Sequence, residues 1–138
     1  MKVVLDTNVL ISAFIYGGAP LRLVELGEAG VVEIVTSEGA LSELEAVVSR
    51  EKFASRLAIM ELRASTILSR YRAAASVVEP GRPEAMCADP ADDLFIAIAV
   101  AAGADAIVSG DNHLRSCSKR CPVPVMTVAE CLYSLSTA

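Results

Sequence analysis

The chain has 138 residues, 54% of them hydrophobic and only 4% aromatic, with a formal net charge of −5. That length lets one domain bury an aliphatic core without disulfide or metal staples. No apolar run approaches the roughly 18–20 residues of a membrane span, even Leu94 to Ala102, and the acidic balance argues at first against a nucleic-acid partner.

In chain order, Lys2–Asp6 reads as a strand. Val3-Val4-Leu5 arrives without the basic region, apolar stretch and cleavage site of a secretory leader, so a cytoplasmic protein is expected. Asn8–Ile15 reads as a short helix. Gly17-Gly18-Ala19-Pro20 breaks it, and Pro20 suits the first turn of a second helix running to Glu28. Val31–Val35 is β-branched enough for another strand. Ser37 caps a helix whose Ala40, Leu41, Leu44, Val47 and Val48 recur at helical spacing. The pattern predicts helix again from Glu51 to Tyr71, with Phe53, Leu57, Met60, Ile67 and Leu68 inward. Val77-Val78 is a short extended piece before the loop of Pro80, Gly81 and Pro83. Asp89 opens the most apolar helix, which Gly103 ends. Ala106–Ser109 and Val123–Met126 read as strands, and Thr127–Leu135 as a closing helix. Strands alternating with helices predict an α/β fold: a three-layer α/β/α sandwich with a central parallel sheet of about 4–5 strands. One domain is expected over residues 1–138.

In such sheets ligands bind at the carboxyl ends of the strands, and two acids fall there. Asp6 directly follows Val3-Val4-Leu5; helix capping would account for Thr7 or Asn8 better than for Asp6. Asp111 follows Val108-Ser109-Gly110, where Gly110 allows a sharp turn and Asp111 could also serve as a cap. Two further acidic segments lie on helices. With Leu44 at the centre of the apolar face, Glu43 and Glu45 sit at about −100° and +100° around the helix. Periodicity leaves the choice between them open. In Asp89-Pro90-Ala91-Asp92, Asp89 can be an N-cap, Pro90 the first helical residue and Asp92 the reciprocal acid. Yet Asp92 and Asp93 set like charges beside a long apolar run, where a bound cation would relieve their repulsion. Convergent carboxylates are what a hard cation such as Mg²⁺ or Mn²⁺ selects. His113 is the only histidine. That scarcity favours a metal-activated water over a separate acid and base.

The charge is unevenly spread. Residues 49–82 carry seven basic groups and three acidic ones, between two acidic flanks. Within that stretch Arg56, Arg63 and Arg70 recur every seven residues, along one side of the expected long helix. They suit either a phosphate track or an ordinary solvated face. Cys87, Cys117, Cys121 and Cys131 match no paired-cysteine zinc spacing, and reduced, partly buried thiols are expected.

Together these segments resemble the PIN-domain ribonucleases, and within them the toxins of bacterial toxin–antitoxin pairs related to VapC. The resemblance spans nearly the whole chain. It runs through Val4-Leu5-Asp6-Thr7-Asn8-Val9-Leu10, Ser42-Glu43-Leu44, Arg50-Glu51-Lys52-Phe53 and Asp89-Pro90-Ala91-Asp92-Asp93-Leu94-Phe95. It continues through Gly103-Ala104-Asp105-Ala106-Ile107-Val108-Ser109-Gly110-Asp111 to Val125-Met126-Thr127-Val128-Ala129-Glu130. Each motif is weak singly, but their order and spacing are specific. The stretch Ser116–Cys121 matches no shared motif. The resemblance implies a PIN-like fold and an acidic quartet of Asp6, Glu43, Asp92 and Asp111, and so favours Glu43 over Glu45. Asp6, Asp92 and Asp111 would ligate Mg²⁺ or Mn²⁺, with Asn8, Ser109 and Asp93 in support. It further implies hydrolysis of RNA phosphodiesters, a small antitoxin partner and a homodimer. The competing expectation is a PIN-fold module that binds or processes RNA without the toxin's role. A phosphatase using an aspartyl-phosphate would want a second aspartate two positions after Asp6, where this chain has Asn8.

Overall fold

Side chains in a strand point alternately to opposite faces, and that period sorts the core of this protein into two. Val3 and Leu5 face one side with Ile34, Ala106 and Val108, while Val4 faces the other with Val35 and Ile107. The computed structural model describes residues 1–82, 90–110, 114 and 121–137. Its elements are β1 (Lys2–Leu5), α1 (Thr7–Ile11) with a π-helical turn (Ser12–Tyr16), α2 (Gly18–Glu28), β2 (Glu33–Thr36) and α3 (Glu38–Val48). There follow α4 (Glu51–Ile59), α5 (Ala64–Ala74), β3 (Ala75–Val77), α6 (Pro90–Ala102), β4 (Ala106–Val108), β5 (Val125–Met126) and α7 (Val128–Ser136).

The described strands form one parallel sheet in the order β3-β2-β1-β4-β5, with Val4 opposite both Val35 and Ile107. Both faces are covered, as parallel sheets require. Leu10, Leu23, Leu44, Ile67, Tyr71 and Cys131 pack on one face, bringing α1, α2, α3, α5 and α7 together. Phe95, Ile96, Ile98 and Ala99 of α6 cover the other, beside Leu114 and Val123. This is the expected three-layer sandwich. No single helix among the described residues is long and apolar enough to cross a membrane.

The caps explain several boundaries. The Ser37 hydroxyl accepts from the Ala40 amide at 3.1 Å and starts α3. Thr127 and Glu130 form a reciprocal capping box at the start of α7. One expected element is corrected. The helix predicted over Glu51 to Tyr71 is two helices, separated at Met60–Arg63. Leu62 N–H bonds the Leu57 carbonyl (2.9 Å) and Glu61 N–H bonds that of Ala58 (3.1 Å), the Schellman pattern of a helix end. Glu61 takes the left-handed position at φ 52°. A non-glycine residue there costs about 1–2 kcal/mol, offset by burial of Leu57 and Leu62 against the core. The first helix also departs from expectation, since its second half widens into the π turn that ends at Gly17 with φ 78°.

Leu44 is fully buried between α3 and the sheet. Leu44→Ala should cost about 2–5 kcal/mol, read as a lower urea midpoint at unchanged slope.

Candidate active site

Strand order reverses at β1: successive crossovers lead outward to β2 and β3 on one side and to β4 and β5 on the other. The crevice beyond the carboxyl ends of β1 and β4 is therefore the switch point where open α/β sheets bind ligands. Asp6 is the first residue past β1 and Ser109 the first past β4. Their backbones stay in register, with Asp6 N–H on the Val108 carbonyl at 3.1 Å and Ser109 N–H on that of Met126 at 2.9 Å.

The Asp6 carboxylate is buried, with 4% of the residue exposed. One oxygen, Oδ1, accepts the Val9 amide at 2.8 Å, so Asp6 is the N-cap of α1. The other, Oδ2, accepts the Ser109 hydroxyl. A capping role thus falls to Asp6 itself, and it coexists with placement in the crevice. Among the described residues, the Val9 amide and the Ser109 hydroxyl orient the carboxylate.

Glu43 joins the site through Thr7, whose hydroxyl donates to Glu43 Oε2 at 3.0 Å. Glu43 is half-buried while Glu45 is exposed, so the structure turns Glu43 toward α1. The sequence does not single out Thr7 as a site residue, although a hydroxyl beside Asp6 in a helix's first turn was the available signal. Asn8 is exposed on the outer side of α1.

Asp92 and Asp93 occupy the first turn of α6 and are both buried. Lys2 Nζ, at the start of β1, donates to the Ala102 carbonyl at the end of α6 (2.9 Å). The helix therefore runs antiparallel to the strand, and its acidic first turn lies at the same end of the sheet as Asp6. Leu94 meets Gly39 at the start of α3, closing that side. Acids in a first turn also suit the helix dipole. Asp111, like Asp89, His113, Cys87 and Cys117, lies outside the described residues.

The donors are carboxylate and hydroxyl oxygens, a chemistry that fits Mg²⁺ or Mn²⁺ and not a soft metal. Among the described residues no three His, Cys, Asp or Glu side chains already form a group able to hold a metal ion. Cys121 and Cys131 are free thiols; Cys131 is buried, which pushes its thiol pKa up.

The three spaced arginines do not share one helix side, because α4 and α5 are separate. Arg70 makes a two-pronged pair with Glu28, both contacts at 2.9 Å, and lies over the Phe14 ring. Arg56 stacks on Tyr16, 5.2 Å from the ring centroid, with its Nε on the Ile15 carbonyl at 3.4 Å. Arg63 is exposed in the connection between the helices.

Comparison with known proteins agrees with this fold. A family model described as PIN domain matches residues 2–113. Among solved structures, VapBC2 from Rickettsia felis bound to a DNA fragment from their promoter is similar, with a TM-score of 0.61. The match covers 92% of this chain and 98% of that one at 18% identity, a likeness of fold. No curated protein matches. On the family model, which spans most of its length, this chain belongs to the PIN domain family.

Proposed function

We propose that the protein is a metal-dependent endoribonuclease, the toxin of a toxin–antitoxin pair acting in the cytoplasm. The observation that carries this reading is the Asp6 carboxylate, buried at the switch point and oriented by two donors, with Glu43 tied beside it through Thr7. Membership of the PIN family supports it. So does the likeness to VapBC2, from which we draw a small antitoxin as partner; a homodimer belongs to the same proposal.

Asp6, Asp92 and Asp111 would hold Mg²⁺ or Mn²⁺. A cation held there would lower the pKa of water and offset charge on the phosphate oxygens. Ser109 keeps Asp6 from rotating away from its ligating geometry. Glu43, steadied at Oε2 by Thr7, orients the attacking water and takes its proton. The water oxygen bonds to phosphorus as the bond to the 3′ oxygen breaks, and that oxygen takes a proton from solvent water, giving a 5′-phosphate and a 3′-hydroxyl. Asp93 adds negative potential beside Asp92, and Asn8 supports the first turn of α1. Of the three spaced arginines, Arg70 is engaged by Glu28, which leaves Arg56 and Arg63 to meet substrate phosphate.

Structure and chemistry at Asp6 are separable. Asparagine caps helices about as well as aspartate, whereas alanine costs about 1 kcal/mol as a cap and removes the oxygen that accepts the Ser109 hydroxyl. Asp6→Asn should unfold within about 1 kcal/mol of the native chain and Asp6→Ala about 1–3 kcal/mol earlier, measured by urea denaturation. Single-stranded RNA should be cut with Mg²⁺ or Mn²⁺ and spared in EDTA. Asp6→Asn and Asp92→Asn should each lower the rate by more than about 100-fold. Cutting that survives EDTA and both substitutions would overturn the proposal.

A further inference from the structure

Beside the crevice, where β2 and β3 end, a hollow of about 470 Å³ opens that the proposed chemistry leaves unused. The register that sets Val4 opposite Val35 sets Ser37, on the hollow's edge, beside Asp6. Adjacent strands lie only about 5 Å apart. On its other side the hollow meets Leu94, two residues past Asp92 on α6. Neighbours of two proposed metal ligands therefore bound it.

Val77, Val78, Pro80 and Leu94 give the hollow apolar walls, and Glu38 and Glu79 give it carboxylates. Hollows of about 300–1,000 Å³ with apolar walls and a few polar groups are where small organic rings bind. The two acids differ. Arg72 holds both oxygens of Glu38, at 2.6 and 3.0 Å. Glu79 is exposed, and among the described residues its side chain has no hydrogen bond or ion pair. No lysine or arginine is among the described residues that line the hollow, so a phosphate would meet repulsion there. A nucleobase meets none. Its ring suits apolar walls, and the bases of single-stranded RNA are read through their Watson–Crick edges. A carboxylate accepts at two oxygens side by side. Guanine alone among the RNA bases sets two donor groups, N1–H and N2–H, side by side on that edge.

We infer that this hollow is a base-specificity site. It seats the guanine of a nucleotide flanking the scissile phosphate, with Glu79 accepting from N1–H and N2–H. This deepens the proposed function and rests on its RNA-cleavage reading. Glu79 touches no reacting atom; it sets which stretch of the strand lies across Asp6.

The test compares cleavage, with Mn²⁺, of single-stranded oligouridine with and without one central guanosine, adenosine or cytidine, the products mapped by length. The native chain should cut beside the guanosine about 10-fold faster than it cuts any other strand. Glu79→Gln keeps the side chain's size but replaces one acceptor with a donor, and should level the rates. Gly39 also lines the hollow, and a Cβ there would meet Leu94 at an ordinary 3.5 Å. Gly39→Leu should therefore fill the hollow and level the rates as well, with thermal unfolding checking that each variant folds. A guanosine preference that survives either folded variant overturns the inference. So does native cutting that favours another base or none, and in both cases the nuclease reading stands. If Gly39→Leu does not fold, Glu79→Gln decides alone. A native chain that cuts none of the strands overturns the nuclease reading and this inference together.

Discussion

A carboxylate removed from water persists only when other groups replace its hydration, and at Asp6 that replacement organises the crevice. The Val9 amide comes from the first turn of α1 and the Ser109 hydroxyl from the end of β4. One side chain therefore ties the first crossover helix to a neighbouring strand. Because Thr7 follows Asp6 directly, the same turn also sets the hydroxyl that reaches Glu43 on α3. Three elements far apart in the chain are held in relation by hydrogen bonds centred on two adjacent residues.

The opposite end of the sheet is fastened by different chemistry. Lys2 N–H donates to Asp105 Oδ2 at 2.8 Å, and Lys2 Nζ reaches Ala102 at the end of α6. On the helical side, Arg70 pairs with Glu28 and Arg72 with Glu38, linking α5 to α2 and α3. Exposed pairs of this kind add little stability individually. Their use is to keep α5 in a fixed rotation, with Ile67 and Tyr71 inward and the arginines outward. That rotation sets the Tyr71 ring edge-on against Phe14 in the core.

Much of this was legible from residue order, and the exceptions have physical causes. The short apolar, β-branched runs Val3-Val4-Leu5 and Ala106-Ile107-Val108 mark buried strands, and an acid just past the first marks a strand-end site. The break at Met60–Arg63 was hidden because its left-handed position holds glutamate, where glycine would have announced it. Val77-Val78 was read as the extended piece, but β3 begins at Ala75, straight from α5 with no intervening turn residue. Glu43 and Glu45 are equivalent by helical angle, and the structure separates them by burial and by the Thr7 contact. Asp111 was legible as a strand-end acid, and its place falls outside the described residues.

The sheet's margins carry a consequence for assembly. Its outer members, β3 and β5, span three and two residues, and an edge that brief gives an incoming strand hardly any ladder to prolong. Such trimming guards against edge-to-edge aggregation. Among the described strands, it leaves the helical layers as the broader surfaces open to association.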